Sequence, residues 1–167
     1  LLSKIGGSSD VVVGTAATGR RHADLEPVVG MFVNTLALRN YPEPGKTFNQ
    51  FLKEVRDNTL AAFENQDYQF EDLVERLNLQ RRADRNPLFD VMFELQNIDL
   101  PPLEMQGIRF KPRTLDFNVS KFDLTFNGTE ADGVIYASIS YNSKLFASDT
   151  IERFTGYFQK IVTLVLE

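Results

Sequence analysis

The chain predicts an α/β fold, a two-layer sandwich in which helices pack on a mixed β-sheet. Three patterns lead there. Between 89 and 96, Phe89, Val91, Phe93 and Leu95 alternate with Asp90, Met92, Glu94 and Gln96, the two-residue period of a half-buried strand. From about 47 to 65, Phe48, Phe51, Leu52, Val55, Thr59, Ala62 and Phe63 recur at helical spacing and give one apolar face. From 122 to 141, two alternating runs, Phe122, Leu124, Phe126 and then Ile135, Ala137, Ile139, Tyr141, flank a turn region between Gly128 and Gly133 and predict a hairpin.

The remaining elements fall between these. Residues 1–9 run into Gly-Gly-Ser-Ser-Asp, a loop signature, and Val11-Val12-Val13 is a short apolar run that reads as a buried strand, so the chain is expected to begin mid-domain. A second strand is expected over Gly30-Met-Phe-Val-Asn34-Thr-Leu-Ala-Leu38-Arg39, with Phe32 and Leu36 in the core. Tyr41-Pro-Glu-Pro-Gly45 is a loop, after which Thr47 and Gln50 form a capping box for the long helix. A shorter helix, Phe70 to Leu77, follows the Gln66-Asp67 turn and carries Glu71 and Asp72 in its first turn, where the helix dipole favours acids. Ile108 to Lys111 is a weaker strand after Pro101-Pro102. The last helix carries Ile151, Phe154, Phe158, Ile161, Val162 and Val165 on one face, with Asp149 and Glu152 as its expected capping box. No internal repeat is present, and residues 1–167 read as a single domain.

Composition narrows the function. With 167 residues and 43% hydrophobic side chains, the chain has material for a core that buries roughly 70% of the unfolded surface. A net charge of -5 argues against non-specific binding to nucleic acid or an anionic membrane, both of which need clustered cations. The basic pairs Arg20-Arg21 and Arg81-Arg82 are flanked by acids and read as solvated loop features. There is no cysteine, which excludes disulfides, thiolate metal sites and a cysteine nucleophile and fits a reducing cytoplasm. No apolar run approaches the ~20 residues that span a bilayer, and the glycosylation patterns at Asn118 and Asn127 read as chance.

Several polar motifs need an account. Gly14-Thr-Ala-Ala-Thr-Gly19-Arg20 has glycines at phosphate-loop spacing, but Arg20 and Arg21 occupy the lysine and hydroxyl positions, so a nucleotide site is not expected. Asn34 and Thr35 sit inside an apolar strand, and such a pair must be hydrogen-bonded. The reading favoured for Asn34 is that it satisfies neighbouring loop backbone, with substrate contact as the alternative. In Asn65-Gln66-Asp67-Tyr68-Gln69-Phe70-Glu71, Asp67 is placed to cap the next helix and Phe70 to pack beneath it. Pro87 biases Asn86 to an extended conformation ahead of the strand, which fixes where its amide points; a turn asparagine is the equal alternative. His22, the only histidine, lies in a charged loop and reads as solvent-exposed. No spacing suggests a metal site or a serine-hydrolase elbow.

Taken together, the runs 19–36, 65–74 and 84–91 resemble the last three core motifs of the condensation domain of nonribosomal peptide synthetases, a domain related in fold to chloramphenicol acetyltransferase. The resemblance extends from Asp10 to Glu167. The chain departs from it at Ala16 and Gln69, where proline is usual, at Asp24 for glutamate, at Asp84 for serine and at Arg82 for aspartate, while Arg81 keeps a motif arginine. The family's His-His-x-x-x-Asp-Gly motif lies upstream of these runs and is absent here, so the resemblance implies the C-terminal lobe of a two-lobed enzyme, without its N-terminal lobe and with no catalytic residue of its own.

The implied activity is peptide-bond formation between donor and acceptor thioesters carried on phosphopantetheine arms, with no cofactor bound directly. Arg20 is implied to pair with the aspartate of the absent motif across the lobe junction; in this segment alone it is expected to be mobile or paired with a substitute acid. Asn86 is implied to lie near the meeting point of the two arms, with Asn34, Asp67 and Arg85 as structural members of the motifs. Implied partners are the N-terminal lobe, carrier domains and an adjacent adenylation domain, with self-association through the exposed lobe face as a further expectation. The alternatives are a lobe of an epimerisation domain, whose motifs deviate more than these, and a carrier-docking module.

Overall fold

The structure, a computed structural model, describes residues 1–79, 85–96, 104–105, 108–109, 119–131 and 133–167. In chain order the elements are α1 (Leu2–Gly6), β1 (Val11–Ala17), a 3₁₀ turn (Ala23–Leu25), β2 (Asn34–Asn40), α2 (Phe48–Glu64), α3 (Phe70–Arg76), β3 (Val91–Gln96), β4 (Glu104–Met105), β5 (Ile108–Arg109), β6 (Leu124–Ala131), β7 (Val134–Tyr141) and α4 (Ser148–Leu166). Five strands form one sheet in the order β2-β1-β3-β6-β7. β1 pairs antiparallel with β2 and parallel with β3, β3 runs parallel to β6, and β6 and β7 form the hairpin. This mixed sheet, with helices packed on it, is the expected α/β sandwich. β4 and β5 form a separate small ladder, so the expected strand at 108–111 is described only over Ile108–Arg109.

Local sequence explains most boundaries. Thr47 accepts from the Gln50 amide at 3.3 Å while the Gln50 side chain accepts from the Thr47 amide at 2.9 Å, the reciprocal box that starts α2. At α4 the expected box is replaced. The helix begins at Ser148 behind Ala147, which has no side-chain cap, so Asp149 lies in the first turn and meets the dipole instead of capping. Residues 2–6, ahead of the expected loop and given no element by the sequence, form a single helical turn closed by Gly7 at φ 65°. β2 begins only at Asn34, so 30–33 are not strand. β6 continues through Gly128 to Ala131, so the turn is tighter than 128–133.

The core lies where the sheet meets the helices. Ala17, Leu36, Val74, Phe89, Met92, Leu124 and Ile151 are buried, whereas Val11, Val12 and Val13 are only half-buried. Phe89, just ahead of β3, stacks between Phe70 of α3 (5.6 Å between ring centres) and Phe122 (5.7 Å). Gly14 makes room for it: a Cβ there would lie 2.0 Å from the Phe89 ring. Phe126 of β6 meets Phe158 of α4 at 5.9 Å. At the sheet edge the Arg39 fork grips Asp10 at 2.8 and 2.6 Å, and that hydrogen-bonded pairing holds the Asp10 carboxyl below its ordinary value.

Candidate functional site

Two of the motif segments meet in space. The β1–β2 loop (18–33) and the α2–α3 turn (65–69) face each other across an open cleft of about 330 Å³, lined by Gly19, Met31, Phe32, Val33, Asn34, Gln66, Asp67 and Gln69. Asn34 is its structural base. Its Nδ2 donates to the carbonyls of Gln66 (2.7 Å) and Tyr68 (2.8 Å), and its Oδ1 accepts from the amides of Thr35 (2.8 Å) and Phe70 (3.3 Å). A side chain only 6% exposed is thereby fully engaged with backbone, as burial of an amide requires. The Phe70 amide is a first-turn donor of α3, so Asn34, rather than a neighbour in sequence, supplies that helix with a partner.

Asp67 was expected in that role and does not fill it. The N-cap of α3 is Gln69, without a side-chain cap, and the Asp67 carboxylate instead accepts from Arg21 Nη1 at 2.5 Å. The opposite charge across the cleft outcompetes the weak pull of nearby amides. Arg21 Nη2 also donates to the Glu64 carbonyl at 3.1 Å, so a residue read as a solvated loop cation ties the loop to the end of α2. Sequence reasoning missed it because its partners are 43 and 46 positions away.

Arg20 is hydrogen-bonded within its own loop, and its partners among the described residues are carbonyls and not acids. Its Nη1 donates to the carbonyls of Leu25, Glu26 (3.5 Å) and Val28 (2.8 Å), and its Nη2 to Gly30 (3.2 Å). The guanidinium also sits 4.2 Å over the Phe32 ring, which is half-buried beneath it, not in the core as expected. Five fixed donors let an arginine organise a loop of carbonyls, and this corrects the expectation of a substitute acid. None of the ion pairs among the described residues includes it, and among them its charge is met by carbonyl dipoles. Gly19 permits the turn: it has φ 62°, and a Cβ would meet the Phe32 carbonyl oxygen at 2.1 Å. The loop then presents Val29 (99% exposed) and Met31 (94%) to solvent.

The third motif lies elsewhere, at the start of β3. Asn86 is half-buried and donates to the Lys121 carbonyl at 3.4 Å, a long bond. Arg85 is exposed. Nearby, Asp123 donates its amide to the Asp90 carbonyl at 2.9 Å, and its carboxyl is pushed above the ordinary value by burial, then by the Asp90 charge, with Arg85 opposing. Arg81, Arg82, Asp84 and Asn118 lie outside the described residues. His22 is exposed beside Asp24. Among the described residues, no helix is long and apolar enough to cross a membrane and no group of three or more His, Cys, Asp or Glu is placed to hold a metal.

The loop and the turn thus bring two of the three motif segments together while the third stands at the start of β3, and comparison with known proteins identifies the family. The model of the condensation domain matches residues 1–167. The chain belongs to the condensation domain family. It is 48% identical over 162 residues to bacitracin synthase 3 of Bacillus licheniformis, covering 97% of this chain and 2% of that protein. It is 49% identical over 166 residues to tyrocidine synthase 3 of Brevibacillus parabrevis, covering 99% of this chain and 3% of that protein. Among solved structures, the starter condensation domain of the rhizomide synthetase superposes with a TM-score of 0.80 at 22% identity over 99% of this chain and 39% of its own. The X-domain from teicoplanin biosynthesis does so with a TM-score of 0.79 at 26% identity over 90% of this chain and 35% of its own. The chain therefore corresponds to part of a condensation domain.

Proposed function

We propose that this condensation-family segment is the C-terminal lobe of a domain that forms peptide bonds between donor and acceptor thioesters in nonribosomal peptide synthesis, and that it is inactive alone. The observation that carries the reading is the match to the family over residues 1–167. In this reading the substrates arrive on phosphopantetheine arms of carrier domains in the cytoplasm, an adenylation domain adjoins, and the histidine that does the chemistry belongs to the N-terminal lobe. A positive charge met by carbonyls and an aromatic ring, and by no acid among the described residues, as on Arg20, is poised to take a carboxylate from that lobe. Asn86, with one long bond among the described residues, offers an amide to orient a substrate carbonyl near the strand. Val29 and Met31, exposed beside Arg20, fit a surface that is covered by the N-terminal lobe or by a second copy. The epimerisation reading is less favoured, because this chain itself carries the Phe-Val-Asn-Thr-Leu and Arg-Asn-Pro-Leu runs, from which an epimerisation lobe is expected to deviate more, and its 45–49% identical relatives include bacitracin, tyrocidine and surfactin synthases.

The test is a mixing assay. Two loaded carrier domains are combined with this chain alone, and then with a separately expressed lobe that carries the histidine motif, and dipeptide is scored by mass spectrometry. Product only with both lobes is the expected result. Product with this chain alone would overturn the division of labour, and carrier binding without product in either case would favour a docking module.

A further inference from the structure

We propose that Arg21 is a positioning residue that sets the opening of the cleft through its ion pair with Asp67, and so tunes which aminoacyl groups the domain accepts. The inference rests on the peptide-bond-forming reading above, with the cleft as part of the substrate path. The two walls of the cleft come from different segments, Gly19 and residues 31–34 on one side and Gln66, Asp67 and Gln69 on the other. Two ties join them. Asn34 closes the base with bonds made by a buried amide. Arg21 closes the rim, with Nη1 2.5 Å from Asp67 and Nη2 3.1 Å from the Glu64 carbonyl, and both side chains of the pair stand well in solvent.

The ties differ in what they do. A pair in water contributes little to folding, but it decides where a flexible carboxylate points. Held by Arg21, Asp67 is drawn to the rim and its charge is balanced. Released, it is free to swing over a cleft whose facing wall carries Met31, Phe32 and Val33, and an anion there opposes entry of an uncharged chain. Arg21 thus acts on the substrate path through Asp67, without needing to touch the substrate.

The experiment uses the intact protein that carries this segment, its Arg21→Met variant and the charge-swapped R21D/D67R. Peptide-bond formation is measured with carrier-bound glycine and phenylalanine as acceptors, alongside amide hydrogen exchange over 64–69. In R21M the ratio of kcat/KM between the two acceptors is expected to move by about fivefold through KM, with kcat preserved. Exchange in the turn should quicken, and the swap should return both readouts toward wild type. An active R21M with unchanged ratio and KM overturns the inference alone, as does a folded swap variant that leaves the defect in place. A wild-type protein that makes no peptide with both carriers loaded overturns the functional reading and this inference with it.

Discussion

At Asn34 both the oxygen and the nitrogen of the side chain are engaged, by bonds of 2.7 to 3.3 Å. At the start of β3, Asn86 has a 3.4 Å bond, and Asp123 sits desolvated near a like charge. Both corners carry family motifs, yet their physics differs. In the first, a buried amide is spent entirely on joining a strand to a helical turn, which is structural work. In the second, a half-buried amide and a carboxyl raised by burial and a like charge are features that folding does not require, so that corner, like the rim of the cleft at Asp67, is a place to seek substrate contact. Phe89 lies between them, with Phe70 of the first corner on one side and Phe122 of the second on the other.

The largest test of this contrast is to cut the joint. Phe89→Ala removes a buried ring that touches both corners and is expected to cost about 3–5 kcal/mol in urea unfolding. A loss under about 1 kcal/mol would mean that the corners pack independently. Next, Asn34→Ala leaves two carbonyls and the Phe70 amide without their partner and should cost about 2–4 kcal/mol. A surface-like loss in the same unfolding assay would contradict the structural role. The smallest effect belongs to the second corner and has the opposite sign. Asp123 is held above its ordinary value by burial and by Asp90, so the folded chain binds that proton more tightly than the unfolded one. Its contribution to stability is fully present below the unfolded value and is lost as pH rises through the folded value. Asp123→Asn should therefore unfold at slightly higher urea than wild type near neutral pH, with the gap closing in acid. A less stable variant at neutral pH would show that the carboxylate is favourably paired.

What could be read in advance followed from local chemistry. The α2 box at Thr47 and Gln50, the strand at β3 and the 124–141 hairpin are written in residues a few positions apart, although in β3 it is Met92 of the mixed face that is buried while Phe93 and Leu95 are exposed. The same logic misled at Asp67 and Asp149. Each is a good cap by type, but Asp67 met an arginine from a distant loop, and the α4 backbone began two residues earlier than its acid suggested. The carbonyl partners of Arg20 could not be read in advance, because a loop that folds its own carbonyls around a guanidinium leaves no periodic trace.

The sequence by itself determined the element types, the family motifs and the polar residues that need an explanation, since these depend on periodicity, caps and residue chemistry within short windows. Only the tertiary structure decided that β1 lies between β2 and β3, that Asn34 serves a turn more than thirty positions away, and that Arg21 reaches Asp67 across a cleft. Those pairings arise from chain crossings, and a hydrogen bond or ion pair is selected by distance in space, on which separation along the chain has no bearing.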